Sequence, residues 1–115
     1  MRRGEIRVVD FEPALATEAN KRRPAVIVSN DTANAVAERL GRGVVTVVPV
    51  TSNVARVLPF QVLLEAADTG LTQDSKAQAE QARAVAVARI GAVIAVVPRH
   101  LMALLDDALR LHLDL

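Results

Sequence analysis

No cysteine, tryptophan or tyrosine occurs in these 115 residues, and phenylalanine occurs only twice. Without cysteine there is no disulfide framework, no thiolate nucleophile and no cysteine-based zinc site, which points to a reducing cytoplasm. With Phe11 and Phe60 as the whole aromatic inventory, stacking on nucleic-acid bases can contribute little. The two histidines, His100 and His112, lack a ligand spacing such as H-x-x-x-H and the carboxylates are scattered, so neither a metal nor another cofactor is expected. A glycine-rich phosphate loop and a G-x-S-x-G nucleophile elbow are also missing. Charge of one sign is not in excess: 14 Lys and Arg against 13 Asp and Glu leave a net charge of +1. That excludes a uniformly basic nucleic-acid binder, so any anion site must be local. The apolar run "VVTVVPV" falls far short of the roughly 18 residues of a membrane span. The start, "MRRGEIRVVDF", lacks the apolar core of about 7–15 residues that a secretion signal carries.

What is present suits one folded domain over residues 1–115, with 51% hydrophobic and 23% charged residues. "EIRVVDF" (5–11) and "AVIVS" (25–29) read as short strands separated by a polar loop, "EPALATEANKRRP". Pro24 fixes its own φ and biases Arg23 toward an extended conformation. Ser29, Asn30 or Asp31 can cap a short alanine-rich helix that Gly41 and Gly43 stop. "VVTVVPV" (44–50) reads as a central strand, with Pro49 implying a bulge or an edge at that end. "PFQVLLEA" (59–66) and "AVIAVV" (92–97) add strands. The segment "SKAQAEQARAVAVARI" suits either helix or strand; its alternating alanines and the β-rich surroundings favour strand. Pro98 then opens a helix placing Leu101, Leu104, Leu105, Ala108 and Leu109 on one face. His112 falls on that apolar face, which suits packing, and His100 in the first turn faces solvent. Five or six short strands with a terminal helix make an α+β, mainly β domain: a small, strongly bent sheet or open barrel. Its apolar content and leucine-rich helix exceed what one small barrel covers, which predicts a homodimer.

A barrel this small fills its interior with side chains, so function must sit on loops or an outer face. The polar residues there are Lys21, Arg22, Arg23, Thr51, Ser52, Asn53, Arg56, Gln78, Glu80, Gln81 and Arg83. Arginine forks, hydroxyls and amides suit phosphate recognition better than hydride, acyl or metal chemistry. "KRRP" is the sharpest feature, because three consecutive cations held beside a strand repel one another unless an anion relieves them.

Taken in order, "RRGEIRVVDFEP", "EANKRRPAVIVSND", "GVVTVVPVTSN", "PFQVLL", "DSKAQAEQARAVA" and a C-terminal helix ending "LRLHLDL" resemble the MazF/PemK family of toxin endoribonucleases. The resemblance runs nearly end to end. It implies an SH3-like barrel with inserted helices, a homodimer, a MazE-like antitoxin partner, and metal-independent cleavage of single-stranded RNA. The family's catalytic arginine precedes the proline of its "RP" pair, which corresponds to Arg23. Its hydroxyl partner follows the central strand, which corresponds to Thr51. Glu80 corresponds to an acidic position used by some members, as a proton acceptor or arginine orienter. Lys21, Arg22, Ser52, Asn53, Arg56, Gln78 and Arg83 are the RNA-binding candidates.

Departures from the family pattern are specific. Arg7 and Leu58 stand where aromatics are common, "FEPALATEAN" lacks the usual glycine, and no histidine occupies the site, leaving the general acid and base unassigned. Two readings remain: a ribonuclease toxin, or a non-catalytic barrel that binds a protein, as the related CcdB toxins do, or only an antitoxin.

Overall fold

The computed structural model describes residues 1–11 and 22–115. Among them are seven strands: β1 (Glu5–Asp10), β2 (Arg22–Ile27), β3 (Val44–Thr51), β4 (Gln61–Leu64), β5 (Ser75–Gln78), β6 (Arg83–Ala86) and β7 (Ile90–Val96). Three α-helices accompany them: α1 (Asp31–Leu40), α2 (Ala66–Thr69) and α3 (Arg99–Leu113). Lys21 and most of the polar loop after β1 lie outside the described residues. Arg22, Arg23 and Pro24 do not belong to that loop, as the sequence reading had it, but open β2. Pro24 is tolerated there because the β2–β3 pairing begins one residue later, at Ala25 opposite Pro49.

All paired strands run antiparallel, in the order β4-β5-β3-β2-β1-β7 with β6 also on β3. Among the described residues β4 and β7 end the order and do not pair with each other, so the bent sheet they form stays open rather than closing into a barrel. Its centre is buried on both faces, which is why "AVI" in β2 and "VVPV" in β3 are almost wholly apolar. One face packs Ile6, Val26, Val48, Val50 and Leu64 beneath α3 through Leu101, Leu105 and Ala108. The other packs Val9, Ala25, Ile27, Val45 and Val47 with Ala37 of α1. Truncating a fully buried residue such as Ile6 or Leu105 to alanine should cost about 2–5 kcal/mol.

Helix boundaries follow local chemistry. Asn30 caps α1 by accepting the Ala33 N–H at 2.8 Å, and Gly41 ends it in the left-handed region at φ 65°. Pro98 precedes the first turn of α3. The apolar stripe of α3 is narrower than its spacing suggests, since Leu104 is 52% exposed. His100 is exposed as expected; His112 is exposed too, with its ring centroid 6.2 Å from that of Phe60.

The largest difference from the sequence reading lies in residues 75–90, which form no single strand. Val47 faces Arg83 and Val50 faces Ala77, so three steps along β3 span six along the facing chain. The excess is taken up as a one-turn 3-10 helix at Ala79–Gln81. Pro49 falls inside that gap, where its missing N–H removes no ladder bond. The bulge that Pro49 implied therefore appears on the strand opposite it.

Candidate phosphate-binding groove

The bulge builds the site. Turning out at Ala79–Gln81, the chain presents Gln78, Gln81 and Arg83 over the Pro49–Thr51 end of β3. Arg23 closes the groove from β2, and Phe11 and Val50 complete its wall, enclosing about 330 Å³. A second groove of about 280 Å³ lies beside it, lined in part by Arg22, Arg23, Thr51, Ser52 and Gln73. Arg23 and Thr51 line both, so they stand on the ridge between two subsites.

Arg23 pairs through its backbone with Val9 and lies one strand period from Ala25, which places its side chain at the open end of a buried sheet face. Its guanidinium is exposed, and among the described residues no hydrogen bond or ion pair holds it. Arg22 is opposite Asp10 in the ladder. Successive strand residues leave from opposite faces, so Arg22 and Arg23 set out from opposite sides of β2, although both line the second groove. The guanidinium carbon of Arg83 lies 5.3 Å from the centre of the Phe11 ring, within cation–π range. That contact orients Arg83, and among the described residues no hydrogen bond takes its donors.

Thr51 Oγ1 accepts the N–H of Asn53 at 3.2 Å, and Asn53 Oδ1 accepts that of Ala55 at 3.4 Å. Because the Thr51 hydroxyl is used as an acceptor there, its proton is free to point at an anion. The groove thus offers guanidiniums, a hydroxyl and two amides to an oxyanion. Among the described residues, no three His, Cys, Asp or Glu are placed to hold a metal.

The structure brings Arg23, Thr51, Gln78 and Arg83 together at the first groove, and Arg22 and Ser52 at the second. It does not bring Glu80, Asn53 or Arg56 into either lining. Glu80 instead accepts from Gln61 Nε2 at 2.6 Å, and its other carboxylate oxygen is buried without a partner among the described residues. Arg56 contributes its backbone carbonyl, which accepts from Lys76 Nζ. Phe11 is the groove residue the sequence reading passed over. Its position one residue beyond β1, beside the start of β2, becomes informative only once the two strands are paired.

These features define a small α+β domain with a candidate anion-binding groove on a bent antiparallel sheet. The model of the family described as "PemK-like, MazF-like toxin of type II toxin-antitoxin system" matches residues 2–113, and the chain belongs to that family. It is 64% identical to "Endoribonuclease MazF9" of Mycobacterium tuberculosis over 115 residues, covering 100% of this chain and 98% of that one. Among solved structures, a MazE-MazF crystal structure from Deinococcus radiodurans matches with a TM-score of 0.77 and 26% identity, over 100% of this chain and 96% of that one. The Mycobacterium tuberculosis toxin MazF-mt6 matches in fold with a TM-score of 0.76 at 23% identity, over 96% of this chain and 97% of that one.

Proposed function

We propose that this MazF-family endoribonuclease toxin of a type II toxin-antitoxin module cleaves single-stranded RNA without metal, using Arg23 and Thr51 as its catalytic pair. The observation that carries this is their convergence from β2 and the end of β3 onto one groove that also holds Gln78, Gln81 and Arg83. The substrate 2′-oxygen attacks the adjacent phosphorus as its proton departs, the bond from phosphorus to the 5′-oxygen breaks, and that oxygen leaves as a 5′-hydroxyl after taking up a proton. The other product carries a 2′,3′-cyclic phosphate. Negative charge builds on the non-bridging oxygens as the fifth bond forms; Arg23 donates two parallel hydrogen bonds there and Thr51 a third. Arg83 and Arg22 neutralise flanking phosphates, and Gln78 and Ser52 donate to the chain in the two subsites. The full-length match to a relative named as an endoribonuclease favours this reading over the non-catalytic alternative.

The reading of residues 1–115 as one domain is supported by a sheet that links strands from Glu5 to Val96. A homodimer is supported by β7, whose outer edge pairs with no other strand among the described residues and whose Val93, Ile94 and Val96 are 44%, 45% and 54% exposed. No helix among the described residues is long and apolar enough to cross a membrane, and an RNA substrate suits a cytoplasmic site of action. A MazE-like antitoxin, acidic and partly disordered, would inhibit by laying carboxylates across Arg23 and Arg56, with affinity that falls as salt rises.

Purified protein incubated with a long single-stranded RNA in EDTA should yield 5′-hydroxyl ends. Replacing the 2′-hydroxyl before the scissile phosphate by hydrogen should stop the reaction at that bond. Cleavage of the deoxy substrate there, or 5′-phosphate products, would contradict the mechanism.

A further inference from the structure

Lys76, in β5, is 9% exposed, and its ammonium donates to the Arg56 carbonyl. Among the described residues no carboxylate pairs with it. A buried ammonium satisfied by a neutral carbonyl serves the fold less well than an apolar side chain of similar length. Stability therefore does not account for a lysine at this place. Its neighbours do.

Lys76 lies directly opposite Thr51 on one side and Leu63 on the other, on the sheet face that also carries Gln78. The connection over residues 52–60 leaves Thr51, belongs to no strand, and passes over the Lys76 ammonium at Arg56. Its far end is held separately. Leu58 donates its N–H to Gln61 Oε1 at 3.0 Å, and Gln61 in turn donates to Glu80 at 2.6 Å. Its near end folds back on Thr51 through the Asn53 N–H.

We propose that Lys76 is a positioning residue. Its ammonium, together with the Gln61–Glu80 pair, pins the 52–60 connection before RNA arrives and so presets Thr51, Ser52 and the second groove. A connection without ladder bonds opens readily on its own, and ordering it at the moment of binding would weaken affinity. Lys76 removes that penalty at some expense of stability. The consequence for RNA rests on the ribonuclease reading; the tether itself does not.

The test uses full-length Lys76→Met, which keeps the length and loses the charge, and Lys76→Arg, which keeps a donor. Lys76→Met should melt at or above the parent temperature, because it removes a buried charge. Amide hydrogen exchange at Asn53, Ala55 and Leu58 should accelerate about tenfold once the charged hydrogen bond is gone. KM for a single-stranded RNA should rise about tenfold while kcat stays within about threefold, since Arg23 and the Thr51 hydroxyl remain. Lys76→Arg should restore most of both. Unchanged exchange in Lys76→Met, faster exchange with an unchanged KM, or a Lys76→Met that fails to fold would each overturn the proposal. A parent protein that cleaves no RNA while Lys76→Met still loses protection would sink the ribonuclease reading and leave the clamp standing.

Discussion

Arg3 and Arg7 near β1 and Arg23 and Arg83 at the groove have opposite surroundings, although "MRRGEIR" and "NKRRP" look equally cationic in the sequence. Arg3 donates from Nε to the Val28 carbonyl at 2.7 Å and from Nη2 to Asp106 at 2.6 Å, tying the N-terminus to α3. Arg7 donates twice to Glu5, at 3.0 and 2.8 Å, and once to the Gly91 carbonyl at 3.1 Å. Gly91 itself sits so close to β1 that a Cβ there would lie 2.8 Å from the Val8 oxygen. Those guanidiniums commit donors to the fold. Arg23 has no such partner among the described residues, and Arg83 rests on an aromatic face that takes none of its N–H groups in line. The lesson is that donor occupancy, more than charge density, separates structural cations from those kept for a ligand.

The strongest way to break this contrast is Arg23→Ala. Cleavage should fall by about 10²–10³, with the melting temperature close to the parent's, because the side chain is exposed and has no partner among the described residues. Arg23→Lys should recover little, since a point charge cannot make two parallel contacts to phosphoryl oxygens. A large loss of stability with Arg23→Ala would show that it belongs with the structural set.

Thr51→Ala should slow cleavage by about 10², the lower end for one preorganised donor. Thr51→Ser should stay closer to the parent because the hydroxyl survives. Equal rates for the two variants, measured on the same RNA, would remove Thr51 from the mechanism.

Arg3→Ala tests the other side. It should cost about 1–2 kcal/mol and lower the melting temperature by roughly 5–10 °C, while kcat/KM per folded molecule stays at the parent value. A rate loss comparable to that of Arg23→Ala would abolish the distinction.

The smallest effect concerns Glu5. Burial alone would push its carboxyl up, but the Arg2 N–H and the Arg7 guanidinium outweigh this and hold it below its ordinary value. A carboxyl lowered in the folded state contributes stability that is fully present above its unfolded value and is lost as pH falls through the folded one. Glu5→Gln should therefore flatten the fall in melting temperature below about pH 4, leaving cleavage at neutral pH unchanged. An unaltered acid limb would mean that Arg7 does not stabilise the Glu5 anion.

Much of this was legible in the residues. Asn30 and Gly41 bracket α1 because capping is local chemistry, and the unbroken apolar runs of β2 and β3 announce strands buried on both faces. Arg23 and Thr51 were found through a family resemblance, and they do share a groove. Three things were not legible. Alternating alanines in residues 75–90 carry too little side-chain information to mark where a strand breaks. Arg22 to Pro24 read as the end of a polar loop, and only the register shows that they open β2, with the β2–β3 pairing starting after Pro24. Glu80 corresponds to an acidic site position in the family, yet it turns to Gln61, a residue 19 positions away that the sequence does not connect to it.

The sequence by itself determined the local elements, because caps, turn glycines and strand patterns depend on neighbours within a few residues. Its arginines, hydroxyls and amides also suit oxyanion recognition better than thiol or metal chemistry, since it holds no cysteine and no ligand-spaced histidines. Tertiary structure decided which cations are spent and which are available, and it set Lys76 beneath the connection that follows Thr51. It also turned a proline in β3 into a bulge on the facing chain that swings Gln78, Gln81 and Arg83 over Thr51. These are outcomes of strand register, and register is fixed by burying whole faces of a sheet together, which no short stretch of the chain can specify alone.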